Sequence, residues 1–201
     1  MKNLKNYLDS QLQPFDRALL YSNIAMSPFF YSVFKWMFSA ITLVLFTQYL
    51  SYYITVSYIN FAISEAISPH LWNVLGTIGM SFLGLIFLFP STTIANSIHG
   101  VFNNTYKMGL FSLGILIGQF IILFPSTLEK LDFFHQLLLI ITVSIALIYI
   151  FFLNFSMYYL AKLVTSKNLN GNFLFHIQKL DFPLKVFGSL IFYLPLLLIY
   201  L

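Results

Sequence analysis

Five apolar runs, at roughly 36–58, 72–94, 108–126, 137–161 and 184–201, leave this chain few ways to fold. Each approaches the ~20 apolar residues that a helix needs to cross a hydrocarbon layer about 30 Å thick. A backbone in lipid must satisfy its own N–H and C=O groups, so runs of this length predict helices. Composition agrees. Apolar residues make up 59% of the 201 and charged residues only 8%, against about 25% charged in a soluble chain. So little charge cannot clothe a water-soluble surface. The expected fold is all-α, a polytopic transmembrane helical bundle of five spans. Its expected organisation is an amphipathic N-terminal arm over 1–27, lying on the inner surface, and one transmembrane domain over 28–201.

The basic residues orient the bundle. With the N-terminus inside, the inner segments hold Lys2, Lys5, Arg17, Lys35, Lys107, Lys162, Lys167, Lys179 and Lys185. The outer segments hold Lys130 alone, between Glu129 and Asp132. Basic residues accumulate on the cytoplasmic side of membrane helices, so the split predicts the N-terminus inside and the C-terminus outside. The expected location is an integral, multi-pass membrane protein, of a bacterial cytoplasmic (inner) membrane before an organelle membrane. The same placement accounts for the net charge of +4 without nucleic acid as a partner. The expected partners are the lipid bilayer and, beyond it, other membrane subunits or a second copy of the chain.

Within the arm, Leu4, Leu8, Leu12 and Phe15 recur at helical spacing and form one stripe. Lys2, Lys5 and Arg17 can meet anionic headgroups, each worth about 1 kcal/mol near a charged surface. Either the arm binds the membrane surface or a partner, or its charge only fixes topology. Ser27-Pro28 and Ser68-Pro69 are helix-start signals, a capping hydroxyl followed by a proline preset for the first turn. Trp36, Trp72, Tyr49, Tyr52, Tyr53 and Tyr58 mark interfaces. Phe173, Ile177 and Leu180 are helically spaced in the longest inner loop, after the turn signal Asn170-Gly171, and predict a second interfacial helix.

Two features concern packing. Gly114 and Gly118 lie four apart in an apolar run, a spacing that puts both on one face and admits a close neighbour. Gly76 and Gly79, with Thr77 and Ser81, offer a similar face in the second run. Separately, Leu88-Phe89-Pro90-Ser91-Thr92 recurs as Leu123-Phe124-Pro125-Ser126-Thr127. The copies are either an inverted repeat of broken helix ends, as transporters use, or two proline-stopped helices that happen to match.

Reactive groups are scarce. Asp9, Asp16, Glu65, Glu129, Asp132 and Asp181 all fall in loops or at ends, so no carboxylate is placed at mid-depth for a proton relay. The polar groups expected inside the membrane are Gln48, Gln119 and Asn154, as glue between helices or as a polar pathway. His70, His99, His135 and His176 are expected in loops or at helix ends, without metal-ligand spacing. The chain has no cysteine. Neither a cofactor nor a metal is expected, and no catalytic residue is nominated. The expectation is a non-catalytic membrane protein, a small subunit or organiser of a larger assembly. The alternative is a small transporter or permease component with a polar midplane site. A cavity lined by the three amides would favour the alternative, and a dry interior with an exposed apolar face the first.

Overall fold

The computed structural model describes residues 2–20, 24–53, 69–165 and 173–200. These residues are helical with short connections, and none of them forms a strand. The helices are α1 (Lys2–Leu20), α2 (Ser27–Ser51), α3 (Pro69–Leu88), α4 (Thr92–Leu128), α5 (Phe133–Thr165), α6 (Phe173–Lys179) and α7 (Phe182–Tyr200). α2, α4 and α5 are each long and apolar enough to cross a membrane, which supports the membrane reading of the composition. α3 and α7 contain the shorter apolar stretches Trp72–Leu88 and Phe182–Leu197. Tyr58, Glu65, Ser68, Lys167, Asn170-Gly171 and Leu201 lie outside the described residues.

Two expectations about helix ends change. The segment after the second run, expected as an inner loop, is the first third of α4. At about 1.5 Å per residue, its 37 residues extend for roughly 55 Å, well beyond a hydrocarbon layer. Asn96, Ser97, His99, Asn103 and Asn104 interrupt the hydropathy there and leave the backbone helical. His99 is therefore inside a helix and not in a loop or at an end. At α2, the helix does start at Ser27 with Pro28 in its first turn, but Met26 is the capping residue and no side chain caps it. The Met26 carbonyl takes the first bonds, from the N–H groups of Phe29 and Phe30. A π-helical turn, Val33–Met37, follows within the same helix.

The repeated pentapeptide plays two different roles. In the first copy the chain leaves α3 after Leu88, and the Ser91 hydroxyl accepts the Ile94 N–H at 3.3 Å, capping α4. In the second copy Pro125 lies inside α4, which runs on to Leu128. There the Ser126 and Thr127 hydroxyls donate back to the Leu123 carbonyl, at 3.0 and 2.8 Å. So one copy breaks a helix, and the other passes through its proline for a further turn.

The chain forms two compact units, one of residues 1–25, 74–103 and 158–201, the other of 26–73 and 104–157. In the first unit, the buried side chains gather where α4 begins (Ala95, Ile98, Phe102), where α5 ends (Ala161, Leu163, Val164) and on α6 (Leu174, Ile177). His99 Nδ1 lies 2.8 Å from the Ala161 carbonyl. A carbonyl only accepts, so this nitrogen carries the proton and ties α4 to α5. α3 and α7 pair reciprocally: Tyr193 of α7 fills the space beside Gly84, and Phe87 of α3 fills the space beside Gly188. The Tyr193 hydroxyl donates to the Ser81 carbonyl at 3.2 Å, and Phe87 stacks on Phe192.

In the second unit α2 packs on α4. Phe29 is fully buried, edge-on to Phe151 and Phe155, beside Tyr106, whose hydroxyl is 3.2 Å from that of Ser32. Further along, Ala40 and Val44 pack against Ile115. Gly114 lies directly against the Met37 carbonyl and Ala40, and Gly118 against Val44. At the far end of α4, Gln136 donates to the Leu128 and Leu131 carbonyls, both at 2.9 Å, supplying partners that a helix end lacks.

These contacts grade the glycines. A Cβ at Gly114 meets backbone, which cannot yield, so Gly114→Ala should lose about 1–3 kcal/mol through overpacking. Gly118→Ala meets a valine side chain and should lose less. Gly76 has open space around it, so Gly76→Ala should be neutral or stabilising by up to about 1 kcal/mol. Reversible unfolding of the three variants in micelles checks the order, and equal effects at Gly114 and Gly76 would refute it.

Candidate functional site

Among the described residues, two hollows, one in each unit, leave room for something else. The hollow of the second unit has a volume of about 460 Å³ and lies between α4 and α5, with Trp72 of α3 at its wall. Its lining is mostly Leu113, Leu116, Ile150 and Leu153, with Ser112 and Asn154 as the polar residues. Asn154 is 3% exposed. Its amide nitrogen donates to the Ile150 carbonyl, one turn back, at 2.8 Å. Its Oδ1 side rests on Gly109, where any larger residue would collide with it. The amide is thus spent mainly on its own helix and on a bare stretch of α4.

Of the three amides expected inside the membrane, Asn154 alone lines this hollow. Gln48 is exposed on α2, and Gln119 is half-buried on α4. Among the glycines, Gly114 and Gly118 form the α2 contact, a Cβ added at Gly79 would come within 3.1 Å of the Phe102 ring, and one added at Gly76 would meet nothing within 4 Å. Gly84, Gly109 and Gly188 carry contacts that sequence reasoning missed. Single glycines have no spacing signal, and their partners lie on other helices.

The groove of the first unit is larger, about 510 Å³, and its walls are apolar side chains. α1 contributes Leu8 and Leu12, the α6–α7 region Phe173, Leu180, Leu184 and Phe187, and α3 Phe87. Of the N-terminal stripe read from the sequence, Leu8 and Leu12 line this groove, and α1 lies against α6. A polar clasp closes it. The Tyr7 hydroxyl donates to the Asp181 carboxylate at 2.5 Å. Next to it, Lys185 Nζ donates to the Gln178 carbonyl at 2.9 Å, and the Gln178 amide donates to the Pro90 carbonyl at 3.0 Å. Asp181 also starts α7, its carbonyl accepting the N–H groups of Leu184 and Lys185.

Neither hollow holds a reactive set. No group of three or more His, Cys, Asp or Glu close enough to hold a metal occurs among the described residues. Asp132 and His135 pair with each other at the start of α5, both exposed. His99 bonds a backbone carbonyl. Comparison with known protein families, with curated proteins and with solved structures finds no match to this chain.

The clasp has a pH signature. The neutral phenol can donate to Asp181 and the phenolate cannot, so that bond, then desolvation and the carboxylate charge, raise the Tyr7 pKa above its ordinary 10.0. A raised folded-state pKa means that the contribution is complete below pH ~10 and is lost as pH climbs through the raised value. The chain has no cysteine, so spin labels at Asn6→Cys and Phe182→Cys report α1 docking cleanly. The distance between them should be single and short at pH 8 and broaden only as pH climbs beyond the ordinary tyrosine range. Adding Tyr7→Phe should broaden it already at pH 8. An identical distance profile with and without the hydroxyl would refute the clasp.

Proposed function

We propose that this chain is a non-catalytic integral membrane protein, a small subunit or organiser of a larger membrane assembly. It crosses the bilayer five times, with the N-terminus inside and the C-terminus outside. The observation that carries this reading is α5. The most apolar window of that helix, with a mean hydropathy of 2.6, contains no buried residue. Leu138, Ile141, Ile145, Ile148 and Phe152 are all exposed along it. A surface of that kind has lipid or another apolar protein as its neighbour, and it carries no group that does chemistry.

Helix lengths support the five spans. α3 has 20 residues and α7 has 19, which at about 1.5 Å each rise roughly 28–30 Å, the thickness of a hydrocarbon core. Nine of the ten basic residues fall on one side of this arrangement. The rival transporter reading needs a polar midplane site. Against it, Gln48 and Gln119 are absent from the lining of the hollow that Asn154 enters.

Two measurements test the proposal. Reporter fusions after Thr165 and after Leu201 should report opposite compartments, and the same compartment at both would overturn the topology. Purification in mild detergent should bring down a fixed set of membrane proteins, or a defined oligomer. Replacing Ile141, Ile145 and Ile148 with Ala should reduce that yield several-fold while the chain stays folded. A strictly monomeric protein that moves a solute into vesicles would favour the rival.

A further inference from the structure

We propose that the groove of the first unit is a binding site for an anionic phospholipid, one acyl chain lying in the groove and the phosphate resting on Lys179, Lys185 and Lys5. The proposal stands apart from the subunit role, which would survive its failure. At about 510 Å³ the groove is within the ~300–1,000 Å³ range of small-molecule sites. Its walls are phenylalanine, leucine and isoleucine side chains, with Gly188 at one point. A peptide laid there would bury N–H and C=O groups without partners, which is costly. A hydrocarbon chain has no such groups, so the lining selects an acyl chain.

Charge supplies the other half. Among the side chains described on α1, α6, α7 and the turn between α6 and α7, Lys5, Lys179 and Lys185 stand against Asp9 and Asp181. Asp181 already accepts the Tyr7 hydroxyl. Lys179 and Lys185 are the immediate neighbours of Leu180 and Leu184, both of which line the groove. The Lys185 ammonium is held over the turn by one bond to the Gln178 carbonyl, and a lysine has three N–H donors. Two therefore remain for phosphate oxygens. Lys179 Nζ lies 4.1 Å from the centre of the Phe175 ring. Lys5, exposed, is one turn before Leu8 on α1. Lysines thus neighbour, along the chain, the residues that line the apolar trough, a pairing that complements an anionic lipid.

Native mass spectrometry of the full chain, delipidated in mild detergent, tests the site. The probes are dioleoyl phosphatidylglycerol, dioleoyl phosphatidylcholine and inorganic phosphate. One phosphatidylglycerol should be retained at about tenfold lower concentration than phosphatidylcholine, as one or two lysine contacts near a charged surface provide. Combining Lys5→Gln, Lys179→Gln and Lys185→Gln should bring the two lipids to within about twofold. Ile191→Trp, at a half-exposed lining position, should reduce retention of both. Leu12→Trp provides the same block from α1 if the first variant fails to fold. Equal retention of the two lipids, or a preference unchanged in the lysine variant, would overturn the proposal. So would retention unchanged in both folded tryptophan variants, since the lipid then lies elsewhere. Displacement of phosphatidylglycerol by inorganic phosphate at a similar concentration would show a phosphate site without a chain, and would also overturn it.

Discussion

Apolar side chains on a helix surrounded by lipid gain nothing by turning toward another helix, because the lipid tails are as apolar as leucine. What remains to hold two such helices together is the closeness of contact, many weak dispersion terms at optimal separation. In the second unit that closeness comes from Gly114 and Gly118, which let α4 approach the Met37 carbonyl, Ala40 and Val44 of α2. In the first unit Gly84 and Gly188 let Tyr193 and Phe87 sink into the opposite helix. Each glycine is a missing side chain that a neighbour occupies.

How much of this was legible depends on what each signal measures. Hydropathy located the apolar runs, because burial in lipid demands unbroken apolar sequence. It was silent on where helices stop, because it measures depth and not backbone conformation. Asn96 to Lys107 are polar enough to leave a membrane, and the chain there is nevertheless helical. The glycine pair at 114 and 118 was readable, since its spacing alone places both on one face. Gly76 and Gly79 looked equivalent from spacing, yet an added Cβ would meet a neighbour, the ring of Phe102, at Gly79 and open space at Gly76. The difference lies in another helix, about which local sequence holds no information.

The pentapeptide shows the same limit more sharply. Five identical letters end α3 at Leu88 and continue α4 through Pro125. A proline removes one N–H and crowds the preceding turn wherever it stands. Whether the helix ends there is decided by the groups around the proline and not by the proline alone. At the first copy Ser91 turns its hydroxyl forward to the Ile94 N–H and opens a new helix. At the second, Ser126 and Thr127 turn theirs back to Leu123, and Gln136 from α5 covers the carbonyl of Leu128 beyond. The three amides divide in a similar way: Asn154 is drawn inward because Gly109 leaves a place for it, and nothing comparable receives Gln48.

One end of the first unit obeys a different rule from the rest. On the proposed topology, the start of α4, the end of α5 and α6 stand clear of the hydrocarbon. There the hydrophobic effect operates in its ordinary form, about 1.5–3 kcal/mol for each large aliphatic side chain removed from water. Ile98, Leu163, Leu174 and Ile177 are buried there. α1 and α6 sit at the margin, joined by the Tyr7–Asp181 bond, with Leu4 and Leu12 exposed on α1. Exposed leucines beside lysines are costly in water and stable at a headgroup boundary, where each kind of side chain finds its solvent. On that proposed topology the apolar groove opens at this margin, where the two kinds of packing meet.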